Sequence, residues 1–242
     1  MSRANEVRCL ENIKNAFYGR NHFKREFDNS DFLKMDSILS TVCQNKKDNI
    51  FPDFFFDGGI IEHFEVSASN ETKKGSQYKI NDASCQREKE KYFQEQDQKF
   101  LESSRCPGTI RTAAVEDTHE CFSYESFVKS FKRNTERHLK SLRNSGYTNQ
   151  VVVFLIEFES ARLGVYVNSS FDRFYKLCED KNLLEYMKET LVDVDYIIFV
   201  ADDSYEIIDL SKIGPMIATA NDNLDIRGGR QKNISLKVYV DP

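Results

Sequence analysis

Several segments of the chain place apolar residues three or four positions apart, which is the spacing of a helix with one buried face. In the first segment Val7, Leu10 and Ile13 keep this spacing. In the second, Ser30 or Asp31 is placed to cap the start of the helix. A further segment, 86–101, is highly charged and predicts a helix with a narrow buried stripe of Tyr92, Phe93 and Phe100. The predicted helices cover about residues 5–17, 30–43, 86–101, 123–142 and 169–191.

Shorter apolar runs, bounded by turn residues, predict strands between these helices. The strongest hairpin signal is Asp57-Gly58-Gly59, which joins two such runs. The predicted strands cover about residues 50–56, 60–68, 150–158, 196–201, 206–210 and 234–240, with a further hairpin near Gly164. No repeat and no obvious linker interrupts this order. We therefore expect residues 1–242 to form a single domain of the mixed α/β class, with a central mixed β-sheet flanked by helices.

The composition is that of an ordinary globular protein. Hydrophobic residues make up 40% and charged residues 30% of the 242 residues. The apolar runs are far shorter than the ~20 residues of a membrane helix, and the first residues lack a secretory pattern. We expect a cytoplasmic protein without a membrane partner. The six cysteines are scattered without the spacing of a zinc motif, which favours free thiols that pack as small hydrophobic groups.

The net charge is −5, but the acidic and the basic residues are clustered in separate segments of the chain. Basic residues dominate residues 129–143 and 227–237, whereas the acidic residues of 193–209 have no basic neighbour in the sequence. A polyanion such as a nucleic acid would approach the two basic segments and avoid the acidic one. The alternative is that each segment is simply a solvated surface.

The predicted hairpin carries acidic residues on both of its strands. Because paired residues share a face, the length of the turn decides which residues face Asp53. A two-residue turn aligns Asp53 with Glu62. A three-residue turn places Asp53 on one face with the polar residues His63, Glu65 and Ser67. We predict the three-residue turn, because it collects polar residues on one face and leaves apolar residues for the core.

Pro52-Asp53, the hairpin and the following Phe64-Glu65-Val66-Ser67 resemble the signature of the PD-(D/E)XK restriction-endonuclease-like superfamily. That signature has Pro-Asp on one strand and Glu-x-Lys on the next. The order of elements is also similar, with a helix, a meander of strands, a helix and a further strand. The resemblance covers roughly the first two thirds of the chain. It implies a restriction-endonuclease-like core over about residues 30–160, with 161–242 as a C-terminal elaboration.

The resemblance implies metal-dependent hydrolysis of phosphodiester bonds. Asp53 and Glu65 would bind Mg²⁺ or Mn²⁺, and Glu62 is the alternative ligand. Facing carboxylates suit such a cation, because a hard ion prefers oxygen ligands. The ion would polarise the scissile phosphate and lower the pKa of an attacking water.

The chain departs from the superfamily at the position of the catalytic lysine, where it has Ser67. A hydroxyl can hold a water molecule but cannot supply a positive charge. Two alternatives could supply the function of the absent lysine. Lys73 or Lys74 reaches back from the following loop, or His63 acts as the base.

Two functions follow from the resemblance. The first is a Mg²⁺-dependent endonuclease that acts on DNA, with RNA not excluded as a substrate, in restriction or defence against foreign DNA. The second is a catalytically inactive subunit that binds nucleic acid or serves assembly. The retained acidic pair favours the enzyme and the absent lysine favours the binding subunit. Dimerisation is common in such nucleases, so a homodimer is also expected.

Overall fold

The computed structural model describes residues 3–19, 29–46, 50–69, 71–72, 75–102, 110–119, 122–147, 150–159, 163–201, 204–228 and 231–240. Within these residues the α-helices are α1 Arg3–Tyr18, α2 Asn29–Thr41, α3 Gln77–Glu102, α4 Tyr124–Ser145, α5 Lys181–Thr190 and α6 Ile213–Thr219. The strands are β1 Cys43–Gln44, β2 Phe54–Phe56, β3 Gly59–Ser67, β4 Glu71–Thr72, β5 Gly75–Ser76, β6 Ile110–His119, β7 Val151–Glu159, β8 Leu163–Val167, β9 Ser170–Phe174, β10 Tyr196–Ala201, β11 Ser204–Asp209, β12 Asp225–Gly228 and β13 Gln231–Val240.

The main sheet has six strands in the order β1-β2-β3-β7-β10-β11. Its two edges are antiparallel, since β1 pairs with β2, β2 with β3, and β10 with β11. Its centre is parallel, because β7 runs in the same direction as both β3 and β10. The main sheet is therefore mixed, as the sequence predicts.

Helices cover both faces of the main sheet. On one face, α1 and α2 bury Ile13 and Met35 against it. On the other face, α4 and α5 bury Phe131 and Leu183. Because successive side chains of a strand point to opposite faces, β3 and β7 supply residues to both cores. The prediction of a central mixed β-sheet flanked by helices is confirmed.

The long helix α4 is the element that the sequence specifies best. The hydroxyl of Ser123 caps its N-terminus by accepting a hydrogen bond from the amide of Ser126 at 3.1 Å. Gly146 ends it in the left-handed region with φ 79°. Its apolar stripe packs on β3, and its basic residues line the outer surface. Among the described residues, no helix is both long enough and apolar enough to span a membrane.

The predicted helix over residues 169–191 is wrong in its first half. Asn168 and Ser169 have φ values of 51° and 67° and form the turn between β8 and β9. The helix α5 begins only after Asp180, whose carboxylate accepts a hydrogen bond from the amide of Leu183 at 3.1 Å. Asp180 is thus the N-cap of α5, eleven residues after the predicted start of the helix at residue 169.

The sequence pattern predicts β13 in part, as residues 234–240, but misses β6, with which β13 forms an antiparallel ribbon. The two strands pair along their whole lengths, and β6 contacts α3. On α3, the carboxylate of Asp97 accepts hydrogen bonds from Lys237 at 2.6 Å and from Tyr239 at 2.8 Å. Because the ribbon lies outside the main sheet, β6 does not need the apolar run from which the other strands were predicted. Helix α3 begins at Gln77, inside a segment predicted as a loop.

Candidate functional site

The turn between β2 and β3 has two residues, so the predicted three-residue turn is wrong. The strands pair with Phe54 opposite Ile61. One residue further along this register, Asp53 lies opposite Glu62. Asp53 therefore shares a face with Glu62, which was the alternative partner, and not with Glu65.

The physical reason for the error is Gly59, the second of two adjacent glycines. Gly58 is the turn glycine, with φ 88° in the left-handed region. Gly59 already belongs to β3. A Cβ atom at this position would lie 2.2 Å from the carbonyl oxygen of Val151 and 2.2 Å from a ring carbon of Phe56. Gly59 is thus required by close packing within the sheet, and the sequence alone does not separate that need from a longer turn.

The residues around Asp53 and Glu62 form a compact polar cluster on the α4 face of the sheet. Asp53 Oδ2 accepts a hydrogen bond from the backbone amide of His63 at 2.8 Å. A 2.6 Å hydrogen bond joins Glu62 Oε1 to Nδ1 of His138 on α4. The ring of His138 stacks on Phe64 with the centroids 4.5 Å apart. We call Asp53, Glu62 and His138 the acidic site.

Burial dominates the electrostatics of the acidic site. It raises the pKa of Glu62 to about 8. Burial, followed by the charge of Glu62, raises the pKa of Asp53 to about 6. The pKa of His138 falls to about 4, first because of burial and then because of the Arg137 charge. At neutral pH these shifts favour an uncharged imidazole beside a protonated Glu62.

The acidic site has the donor set of a hard divalent cation. Glu62 is 6% exposed, and its Oε2 is buried without a hydrogen-bond partner among the described residues. A buried oxygen of this kind is normally satisfied by a hydrogen bond or an ion. Together with the carboxylate of Asp53, it offers the oxygen ligands that Mg²⁺ and Mn²⁺ prefer. The residues present therefore fit the metal that the sequence resemblance implies.

The other predicted site residues of β3 lie on the opposite face, which packs against α1. His63 Nε2 lies 3.1 Å from Glu157 Oε2 on β7, and Glu65 is the register partner of Glu157. Beside them, burial and the charge of Glu157 raise the pKa of the Cys9 thiol well above its ordinary value. Cys9 is thus a neutral thiol and not a ready nucleophile. His63 reaches Asp53 only through its backbone amide, so the structure does not bring its ring to the acidic site.

Ser67 occupies the sequence position of the absent lysine. The hydroxyl of Ser67 accepts a hydrogen bond from the amide of Ser69 at 3.1 Å, which uses it in a local turn. Lys73 and Lys74 lie outside the described residues. The polar neighbour that the structure does supply is His138.

No motif points to His138, although the sequence carries a signal for its burial. His138 follows Phe131 by seven residues and precedes Leu142 by four, so it lies on the apolar stripe of α4. A histidine on the stripe that packs against β3 is directed at the sheet. The position predicts burial, but only the register of β3 shows that its neighbour is Glu62.

The basic segments differ in how many of their charges are already paired. On α4, Lys129 binds Glu125 at 2.7 Å and Arg143 binds Asp193 at 2.8 Å, whereas Arg137 and Lys140 are exposed beside His138. In the second segment Arg227 binds Asp225 and Lys237 binds Asp97. The surface of α4 is therefore the better candidate for contact with a polyanion.

The acidic site, the neighbouring cluster of His63 and Glu157, and the basic surface of α4 thus surround the central strand β3. Compared with protein-family models, with curated proteins and with solved structures, the chain matches none of them.

Proposed function

We propose that this protein is a Mg²⁺-dependent endonuclease of the restriction-endonuclease-like kind that hydrolyses phosphodiester bonds in DNA. One observation carries the proposal: Asp53 and Glu62, from the two strands of one hairpin, converge in a mostly buried site with an unpartnered carboxylate oxygen. The order of elements supports it. An antiparallel meander of β1, β2 and β3 is followed, after β4, β5, α3, β6 and α4, by β7, which is parallel to β3.

In this proposal Asp53 and Glu62 hold Mg²⁺ or Mn²⁺. The bound ion supplies Lewis-acid chemistry, since it polarises the phosphate and lowers the pKa of water. The remaining groups position these ligands. The amide of His63 fixes the carboxylate of Asp53, and His138 fixes that of Glu62. Such hydrogen bonds to metal ligands set their orientation and basicity.

The surface of α4 supports DNA as the substrate. Arg137 and Lys140 are exposed on this helix, which also carries His138. Arg137 is close enough to lower the pKa of His138, so a phosphate bound at the guanidinium would lie near the acidic site. Cationic side chains contribute most of the sequence-independent affinity for nucleic acid.

Cleavage of supercoiled plasmid DNA tests the proposal. We expect the wild type to nick the plasmid in Mg²⁺ or Mn²⁺ and to lose activity when the metal is chelated. Loss of a residue that only orients a metal ligand lowers metal affinity or activity about 10- to 100-fold. Asp53→Asn and Glu62→Gln each change a ligand itself, so each should lower the cleavage activity at least about 100-fold. The exposed Glu136 on α4 offers the matched control, and Glu136→Gln should keep full activity. Cleavage that neither site variant reduces would contradict the proposal.

The alternative is a nucleic-acid-binding subunit without catalysis. The observation that favours it is Ser67, which replaces the expected lysine and whose hydroxyl is used by Ser69. Binding of a fluorescent DNA duplex, measured under the same conditions as cleavage, separates the two functions. Binding without cleavage in every metal would favour the alternative.

A further inference from the structure

A second cluster of metal-ligating side chains lies on the opposite face of β3, beneath α1. It combines Cys9 of α1, His63 of β3 and Glu157 of β7. One ligand atom from each of the three lies within 4.8 Å of the other two. We call these three residues the mixed-ligand cluster.

The mixed-ligand cluster is enclosed by the fold. Cys9 and His63 are each 2% exposed, and the side chain of Glu157 is 20% exposed. One ring nitrogen of His63, Nε2, contacts Glu157. The other, Nδ1, is buried and has no hydrogen-bond partner among the described residues. A buried imidazole with an unsatisfied nitrogen costs free energy unless a ligand engages the ring.

The chemistry of the donor set selects the metal. A thiolate, an imidazole and a carboxylate are the ligands of Zn²⁺, whereas Mg²⁺ prefers oxygen ligands alone. The charges of Cys9 as a thiolate and of Glu157 would balance the two charges of Zn²⁺. Arg8 Nη2 lies 3.7 Å from Oε1 of Glu157, the oxygen that does not contact His63. The exposed Arg8 therefore holds the carboxylate from the solvent side as well.

We propose that Cys9, His63 and Glu157 bind one Zn²⁺, which fastens α1 to the main sheet. Three protein ligands and one water complete a tetrahedral site. The ligands are distant in sequence and meet only in the folded chain, so the ion stabilises the native state. The site lies across β3 from Asp53 and Glu62, and it does not depend on the proposed nuclease function.

Cobalt titration of the metal-free, full-length protein tests this site, because Co²⁺ replaces Zn²⁺ and is coloured. We expect about one equivalent of Co²⁺ to produce a thiolate-to-cobalt charge-transfer band and the visible spectrum of a tetrahedral ion, both lost on addition of Zn²⁺. Cys9→Ser should remove the charge-transfer band. Cys178→Ser, which changes a partly buried cysteine outside the cluster, should keep it.

Thermal denaturation gives a second measurement. Zn²⁺ should raise the Tm of the wild type and should leave the Tm of Cys9→Ser and Glu157→Gln unchanged. Co²⁺ bound by the wild type without the charge-transfer band would overturn the proposal, and this result does not require any variant to fold. A band that persists in Cys9→Ser, or that disappears in Asp53→Asn, would also overturn it. Absence of DNA cleavage would leave all of these results unaffected.

Discussion

Replacement of Glu62 by glutamine is expected to stabilise the metal-free protein at pH 8, although it removes a ligand of the proposed catalytic ion. Burial raises the pKa of Glu62 from 4.5 to about 8. The folded chain therefore holds a proton that the unfolded chain has released. The stabilisation that this proton provides is fully present below pH 4.5 and is lost as the pH rises through 8. The loss lowers the free energy of unfolding by about 3–5 kcal/mol in total. Glutamine does not ionise, so the variant avoids this loss.

Urea denaturation in the presence of a chelator measures this effect. The difference in the free energy of unfolding between Glu62→Gln and the wild type should be small at pH 5 and should grow to several kcal/mol at pH 8. The control variant Glu136→Gln, at an exposed position, should follow the wild type. Added Mg²⁺ should stabilise the wild type at pH 8 but not the variant. A wild type and a Glu62→Gln variant with the same pH dependence would show that Glu62 is ionised in the fold.

Replacement of Phe127 by alanine is expected to cost about 3–5 kcal/mol of stability, which is the range for a fully buried phenylalanine. Phe127 is 0% exposed. Its ring lies 4.7 Å from that of Phe158 and 5.3 Å from that of Tyr175, measured between centroids. It also contacts Phe131 and Phe199. The side chain thus joins α4 to the parallel strands β7 and β10.

Thermal and urea denaturation of Phe127→Ala measure this cost. Because α4 carries His138, the variant should also lose DNA cleavage at temperatures where it remains folded. The matched control is Phe171→Ala, because Phe171 is 50% exposed on β9. This substitution should lower the free energy of unfolding by less than about 1 kcal/mol. A loss below about 1 kcal/mol for Phe127→Ala would show that α4 does not depend on this cluster of rings.

The helices and strands of the main sheet could be predicted because their patterns are long and their ends are marked. The predicted helix 123–142 corresponds to Tyr124–Ser145, with Ser123 and Gly146 as caps. The strand 196–201 was predicted at its observed bounds. The strand β13 was predicted over residues 234–240, but its partner β6 was not. β6 lies against α3 and carries little apolar signal, and its pairing with β13 joins distant segments of the chain.

The acidic site could be predicted in part. Asp53 and the acidic residues of β3 follow from the sequence, because a hairpin brings its two strands together. The choice between Glu62 and Glu65 depended on whether Gly59 belonged to the turn. Its place in β3 is decided by the contact with Val151, a residue ninety-two positions away, which no local pattern contains.

The role of the acidic segment could not be predicted from the sequence either. The acidic segment around 193–209 was interpreted as a surface that a polyanion avoids. In the fold, Asp193 binds Arg143, and Asp195 accepts the amide of Val152 at 2.8 Å. Glu206 is half-buried and accepts hydrogen bonds from the backbone amides of Leu177 and Cys178. These carboxylates are structural, and their partners lie far away in the sequence.

Binding of Mn²⁺ tests the assignment of the acidic site most directly, because Mn²⁺ prefers oxygen ligands and is visible by electron paramagnetic resonance. Titrations would compare the wild type with Asp53→Asn, Glu62→Gln and Glu65→Gln. We expect the first two variants to lose at least about 10-fold in Mn²⁺ affinity and Glu65→Gln to retain it. Equal affinity in all four proteins, or a loss confined to Glu65→Gln, would contradict a metal site formed by Asp53 and Glu62.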